Sequence, residues 1–139
     1  MRQAQREFVI ETHGQGLYEF TAEVERWLRE LDLKQGLVTL FCRHTSASLL
    51  IQENADPDVV HDLAGFFSRL APEGAHLYRH TIEGPDDMPA HIRAALTPAS
   101  LTIPVVEGRA ALGAWQGIYL FEHRQRSHRR HVLGHAVGE

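Results

Sequence analysis

The sequence predicts a single α+β domain, with a mixed or antiparallel β-sheet sandwich packed against about three helices. Three observations predict it. Runs of apolar strand formers and runs with helical spacing are intermixed, without the regular βαβ alternation of a doubly wound sheet. The length, 139 residues, suits one domain over 1–139 and can bury a core without disulfides or a structural metal. No internal repeat, low-complexity segment or linker divides the chain.

Phe8-Val9-Ile10-Glu11-Thr12 reads as the first strand. Gly14 and Gly16 break it, and Leu17 to Phe20 alternates as a short second strand. Thr21 is placed as the N-cap of a helix, with Glu23 and Glu25 at its positive end and Val24, Trp27, Leu28 and Leu31 at helical spacing. Gly36 follows that helix. Leu37 to Cys42 is almost continuously apolar, which predicts a central strand buried on both faces. Ser46 to Ile51 is the next strand. Asp56-Pro57 starts a second helix, with Asp as cap and Pro at the first helical position. Val59, Val60, Leu63, Phe67 and Leu70 are its expected buried stripe, and Pro72 and Gly74 end it. Asp86 or Asp87 caps a third helix with Met88, Ile92, Ala95 and Leu96 inward, stopped by Thr97-Pro98. Leu101 to Val106 is a strand whose Pro104 cannot donate to a ladder, so it belongs at an edge or bulge. Glu107-Gly108-Arg109 turns the chain back, and Gly117 to Glu122 and Arg130 to Val137 complete the strands.

Bulk composition narrows the function. Apolar residues make up 43% and charged residues 23%, an ordinary balance for a soluble globular chain. The net charge of −4 gives no field that favours nucleic acid or an anionic membrane surface. No stretch approaches the length of a membrane helix, and a single cysteine, Cys42 in an apolar run, excludes an internal disulfide. These features fit a cytoplasmic protein. The outlier is histidine, with 10 residues, the commonest metal ligand among side chains.

Five chemistry-bearing residues crowd one run: His80, Glu83, Asp86, Asp87 and His91. Gly84-Pro85 forces a turn between His80 and the third helix. Asp87 and His91 are four apart and share a face of that helix. The positive helix end disfavours imidazolium at His91, which keeps its ring able to ligate a cation. Two imidazoles and a carboxylate with an open position form the ligand set of a catalytic zinc or related metal. The plainer alternative is a helix cap beside two surface histidines. Arg43-His44-Thr45-Ser46 follows a strand directly, and a strand end aims side chains accurately; the alternative is an ordinary Ser/Thr-rich turn. Glu53 has no structural reason legible in the sequence. Gly113-Ala114-Trp115-Gln116-Gly117 is a glycine-bounded turn whose Trp115 can stack on a planar ligand, pack at an interface or belong to the core. His123 to His131 is basic but lacks the interleaved aromatics of a nucleic-acid surface, so it reads as a solvated hairpin loop. His131 and His135 alternate on one strand face as an incidental pair.

Taken together, His44-Thr45-Ser46-Ala47-Ser48-Leu49, Glu53-Asn54-Ala55-Asp56-Pro57-Asp58-Val59, the run His80 to Ile92, and Leu112 to Tyr119 closely resemble the YjbQ-like (UPF0047) family over nearly the whole chain. The resemblance implies a homotrimer with sites near subunit interfaces. It also implies a divalent metal, commonly zinc, on histidines, with magnesium the alternative beside a diphosphate substrate. The activity it implies is that of a thiamine-phosphate synthase, often regarded as secondary, acting on phosphorylated small molecules. On that basis the metal ligands are expected to be His44, His80 and His91. Arg43, Ser46, Trp115 and Arg124 are the expected substrate contacts, and Glu53, Glu83 and Asp87 the acid/base or supporting carboxylates. The same residues would equally serve a metal-dependent hydrolase of a phosphorylated substrate or a non-enzymatic trimeric metal- or metabolite-binding protein. Two departures from the family are Arg43, where a second histidine is common, and Ala114, where threonine is common.

Overall fold

The computed structural model describes residues 1–139. Its frame is a pair of long strands from the two chain ends. Strand β1 (Arg2–His13) pairs antiparallel along its whole length with β8 (Ser127–Gly138). Strand β3 (Gln35–Cys42) adds to the other side of β8, followed by β5 (Ser100–Val106) and the two-residue β6 (Arg109–Ala110). A second, three-stranded sheet holds β7 (Gln116–Glu122) between β2 (Gly16–Glu19) and β4 (Ala47–Glu53). Every strand pair is antiparallel. The two sheets bury one cluster that includes Phe8, Val38, Leu40, Leu49, Ile118, Leu120 and Val132. The predicted α+β sandwich with three helices is the observed fold.

The strands run longer than their apolar cores suggested, because ladder pairing carries β1 and β8 out into polar residues at both ends. Strand β3 is central, between β8 and β5, but it is not buried on both faces. Val38, Leu40 and Cys42 point into the core, while Leu37 is 44% and Phe41 49% exposed. Period-two alternation sends them to opposite faces, and all three helices leave that outer face bare. Pro104 sits opposite Leu37 in β3, and its carbonyl accepts from Ala111 N–H on the edge side at 2.8 Å. Its missing N–H therefore falls where β6 has already ended. Glu107 and Gly108 both have positive φ, 50° and 80°, which suits the tight hairpin joining β5 to β6.

Helix α1 (Thr21–Leu31) buries Val24, Trp27 and Leu28 as predicted, and closes on Asp32 in the left-handed region. Thr21 is not its cap. Its hydroxyl donates to Glu19 Oε2 and accepts from Ile118 N–H, so it ties the helix to β7 instead. Helix α2 (Pro57–Leu70) starts as the sequence requires: the Asp56 carboxylate accepts from Asp58 N–H at 2.9 Å. Asp56→Ala should cost about 1 kcal/mol in a urea denaturation series; no measurable change would show that this cap is dispensable. The expected apolar stripe of α2 is only half-buried. Leu70 is 50% exposed and Phe66 beside it likewise, with Phe67 stacked edge-on against Phe121 at 5.3 Å. The helix rests on the margin of the smaller sheet rather than across it.

A short 3-10 turn (Ala75–Leu77) leads to helix α3 (Asp87–Leu96). Here the predicted face is wrong. The buried residues are Asp87, Pro89, Ala90 and Arg93, while Leu96 is 59% exposed. Helix α3 turns charged groups inward, Asp87 to Arg124 in the connection after β7 and Arg93 to the Ala71 carbonyl at the end of α2. No helix is long and apolar enough to cross a membrane.

Candidate metal centre at the start of the third helix

Three ligand atoms from His80, Asp87 and His91 lie within 4.8 Å of one another. Asp87 Oδ2 is the hub, 2.6 Å from His80 Nε2 and 3.0 Å from His91 Nε2. Its position follows from local sequence. The Gly84-Pro85 turn, with Gly84 at φ 105°, delivers Asp86 to the N-cap position and Asp87 to the first helical residue. The i,i+4 spacing then stands His91 above Asp87. The Asp87 side chain is 6% exposed, against 38% for His80 and 33% for His91, so the group opens to solvent on its imidazole side.

A guanidinium holds the carboxylates from behind. Arg124 Nη1 donates to Asp87 Oδ1 at 2.6 Å, and Nε donates to Asp86 Oδ2 at 3.0 Å. Arg124 Nη2 donates to the Glu83 carbonyl at 3.0 Å. Gln125 N–H adds a bond to Asp86 Oδ2 at 2.9 Å. Asp86 occupies the cap position yet makes no capping bond, because its oxygens serve this loop. Burial pushes both carboxyls up. The bond from Gln125 and the Arg124 guanidinium win at Asp86, and the His80 bond with the His91 and Arg124 charges win at Asp87, so both stay below the usual range. Two carboxylates against one guanidinium leave a net negative charge beside two imidazoles. That balance suits a cation and repels a free anion.

The His91 ring can be assigned a tautomer. Its Nδ1 lies 2.9 Å from the Thr45 carbonyl, which can only accept, so Nδ1 carries a proton. In the neutral ring, Nε2 is then a lone pair facing Asp87 Oδ2, an arrangement satisfied by a proton or a metal between them. Ligating histidines typically donate their second nitrogen to a carbonyl in this way. The residues present therefore fit a divalent cation held by two imidazoles and a carboxylate.

The other predicted residues are distributed as follows. His44 is not among the three-atom group. Its Nε2 accepts from His131 N–H at 2.8 Å, and its ring stacks on His131 with centroids 5.9 Å apart. Burial, followed by the nearby Arg130 charge, pushes its pKa down. Ser46 Oγ accepts from Arg130 Nη2 at 3.0 Å. Arg43 projects into solvent near Glu7, at 3.7 Å. Glu83 contributes its carbonyl. Arg124 is a clamp with four of its five N–H groups committed to Asp86, Asp87 and the Glu83 carbonyl, which leaves one Nη1 N–H for a phosphate oxygen. Trp115, 64% exposed, and Glu53 lie at the far end of the smaller sheet. The register Ala47↔Glu122 marks the near end and Glu53↔Gln116 the far end, about 20 Å away at strand rise. Within one chain, Trp115 does not share the space of His80 and His91.

The expected solvated hairpin loop, His123 to His131, is solvated only in part: Gln125, Arg126, Ser127 and Arg129 are exposed, but His123 and Arg130 towards its ends are buried, and it joins strands of different sheets. Glu122 and His123 are fully buried and Arg130 is 4% exposed. Glu122 accepts from Arg130 Nε at 2.7 Å, Thr12 Oγ1 at 2.7 Å, His123 N–H at 3.0 Å and Arg124 N–H at 3.1 Å. A glutamate closing the apolar run Ile118 to Phe121 was the available signal for this buried anchor.

With fold and site in view, comparison with known proteins is direct. A family model described as UPF0047 protein YjbQ-like matches residues 6–139. The chain belongs to the YjbQ-like UPF0047 family. It is 56% identical to UPF0047 protein sll1880 of Synechocystis sp. over 99% of this chain and 94% of that protein. It is 39% identical to UPF0047 protein YjbQ of Escherichia coli O157:H7, over 97% of this chain and 98% of that one. Among solved structures, it resembles a conserved YjbQ/UPF0047 family protein of Clostridium acetobutylicum with a TM-score of 0.86 and 31% identity, covering 95% and 99% of the two chains. A conserved hypothetical protein of Thermus thermophilus gives a TM-score of 0.85 at 34% identity, with the same coverage. The match establishes the YjbQ-like family and fold, and the chemistry has to be read from the site.

Proposed function

We propose that this YjbQ-like protein is a metal-dependent enzyme of small phosphorylated substrates, with a divalent cation, zinc first, on His80 Nε2, His91 Nε2 and Asp87 Oδ2. The observation that carries this reading is the bond between His91 Nδ1 and the Thr45 carbonyl, which turns the opposite lone pair toward Asp87 Oδ2, beside His80 Nε2. Arg124 is largely spent on Asp86 and Asp87, so a diphosphate at this site would be held mainly by the cation.

The reaction we assign is thiamine-phosphate synthase-type. The thiazole nitrogen attacks the methylene carbon of hydroxymethylpyrimidine diphosphate, the carbon–oxygen bond breaks, and diphosphate leaves with the electron pair. A cation would offset the departing charge. The protein's own residues fix the ligand atoms and keep them oriented. A hydrolase of a phosphorylated substrate is the second reading, favoured by the distance of Trp115, since hydrolysis needs no stacking face. We also assign to a homotrimer the covering of the outer face of the larger sheet, where Val9, Leu37, Phe41 and Val106 lie exposed; sedimentation of the protein as a monomer would remove that assignment.

The test is metal analysis and turnover of the purified protein with His80→Ala and His91→Ala. The wild type should carry about one divalent ion per chain and condense the two precursors, and each variant should lose at least ~100-fold in metal affinity. Turnover of phosphate esters alone would replace the synthase with the hydrolase. A metal-loaded protein that turns over neither is a binding module, and equal metal in all three proteins would sink the centre itself.

A further inference from the structure

The far end of the smaller sheet carries a cleft that the candidate centre does not use. Ile51, Gln52 and Glu53 at the end of β4 line a hollow of about 390 Å³ with Trp115 and Gln116. A second hollow of about 280 Å³, walled in part by Asn54, Asp56 and Tyr119, shares Glu53 with the first. Their scale is that of a small-molecule pocket. Trp115 is 64% exposed, whereas the chain's other tryptophan, Trp27, is 4% exposed in the core. The turn fastens Trp115 in place. Gln116 Oε1 accepts from Gly113 N–H at 2.7 Å, and Gln116 N–H donates to the Gly113 carbonyl at 3.1 Å. The Trp115 carbonyl accepts from Asn54 N–H at 3.0 Å. The indole is therefore presented beside Glu53 by a turn ordered in advance of any ligand.

The walls are acidic. No Lys, Arg or His lines either hollow, while Glu53 and Asp56 do. Glu19 stands beside them, its Oε2 accepting from Asn54 Nδ2 at 3.1 Å. None of the three carboxylates is within ion-pair distance of a basic side chain. Asp56 is occupied in capping α2, and Glu19 in binding Thr21 and Asn54, so Glu53 is the carboxylate available to a ligand. The amides add direction. Gln52 Oε1 accepts from Glu53 N–H at 2.9 Å and Gln116 Oε1 from Gly113 N–H, which leaves their Nε2 groups as donors of the lining. An indole face and a carboxylate both attract a cation. One aromatic face, rather than a cage of several, favours a flat cation that lies along it over a tetrahedral ammonium. The amide donors call for an acceptor on the ligand's rim.

We propose that this cleft binds a planar, positively charged nitrogen heterocycle bearing a carbonyl or ring-nitrogen acceptor, stacked on Trp115 with its charge toward Glu53 and its acceptor toward Gln52 and Gln116. The cleft shares no residue with the group of His80, Asp87 and His91 and lies at the opposite end of β4. It therefore does not rest on the metal reading. The two sites select opposite charges, because the carboxylates that attract a cation here repel a phosphorylated ligand that lacks a metal.

The probe is 1-methylnicotinamide, a planar cation with a carboxamide, set against nicotinamide, its neutral counterpart. Proton NMR of the full chain follows the two indole N–H signals. The cation should move the Trp115 signal, identified by its absence from Trp115→Ala, and leave the Trp27 signal where it is. By calorimetry, nicotinamide should bind at least ~10-fold more weakly than the cation, and Trp115→Ala and Glu53→Gln should each weaken the cation at least ~10-fold. An unchanged Trp27 signal in each variant shows that it is folded. Equal binding of the two probes, or of the cation to wild type and Trp115→Ala, overturns the proposal. So does a Trp115 signal that millimolar cation does not move. A Trp115 indole shielded from acrylamide until the protein is diluted would give the surface to a second copy, which also overturns it. His80→Ala should bind the probe as the wild type does, so failure of the metal centre leaves this result standing.

Discussion

Asp87→Asn should strip the metal from the protein and leave it folded. Asparagine keeps the shape of the side chain, and its carbonyl oxygen can still accept from Arg124 Nη1, now 2.6 Å away. What changes is the atom facing the two imidazoles. An amide nitrogen would donate to the lone pair on His80 or His91 Nε2, where Asp87 Oδ2 now lies within 3.0 Å of both. Both imidazole nitrogens cannot then turn to one cation, and the site has lost its negative charge. Metal affinity should drop by at least ~100-fold, with turnover falling in parallel. The stability loss should stay below about 2 kcal/mol, because one charge-assisted bond becomes a neutral one. Asp86→Asn is the control. Its oxygens face Arg124 and Gln125 N–H rather than the imidazoles, so that variant should keep most of its metal. If Asp87→Asn binds metal as the wild type does, the ligand set is wrong, however well His80 and His91 are placed.

The contrast between these two aspartates shows what the sequence could and could not disclose. Spacing alone put Asp87 and His91 on one face, because a helix of known start fixes i,i+4 neighbours. The turn at Gly84-Pro85 was legible for the same local reason, as were the Asp56 cap and the order of strands and helices. What spacing could not supply was which face of α3 looks inward. Met88, Ile92 and Leu96 are apolar and suggested the core, yet Asp87 and Arg93 are the buried ones. Their partners, Arg124 and the Ala71 carbonyl, come from segments 37 and 22 residues away, and no local pattern announces a satisfied charge. The basic run near the C-terminus misled for the same reason. Arg124 and Arg130 looked solvated because lysines and arginines usually are, and only the long-range pairing of β7, β8 and the α3 loop gives them carboxylates. His44 and Trp115 mark a further limit. Motifs that follow one another in sequence need not converge in one chain, and β4 sets Thr45, just before its start, and Glu53, its last residue, at opposite ends of the smaller sheet.

Glu122→Ala should give the largest loss of stability of any single change, about 3–5 kcal/mol in urea denaturation, because it leaves the buried Arg130 guanidinium unpaired. The same change leaves the Arg124 N–H without an acceptor and the Thr12 hydroxyl and His123 N–H with only their longer 3.3 Å bonds to the His128 and Ser46 carbonyls, which loosens the turn that aims Arg124 at the centre. Metal affinity should therefore fall with stability, which a purely local defect would not produce. A loss near 1 kcal/mol would show that water reaches Arg130 and that the pair is not an anchor. The acid limb of stability supplies an independent check. Burial pushes the Glu122 carboxyl up, but the Arg130 and Thr12 bonds more than reverse this and hold it below its ordinary value. The unfolded chain then binds more protons than the native one, so this contribution is present above about pH 4.3 and is lost as pH falls through the lower native value. His123 acts over an earlier window. Its pKa is held at about 3, so its contribution is complete above the unfolded value of about 6.5 and declines below it. Glu122→Gln should keep the decline that begins near pH 6.5 and flatten the part below about pH 4.3. An acid limb in Glu122→Gln parallel to that of the wild type throughout would mean that another carboxylate carries it, with the Asp86 and Asp87 pair next in line.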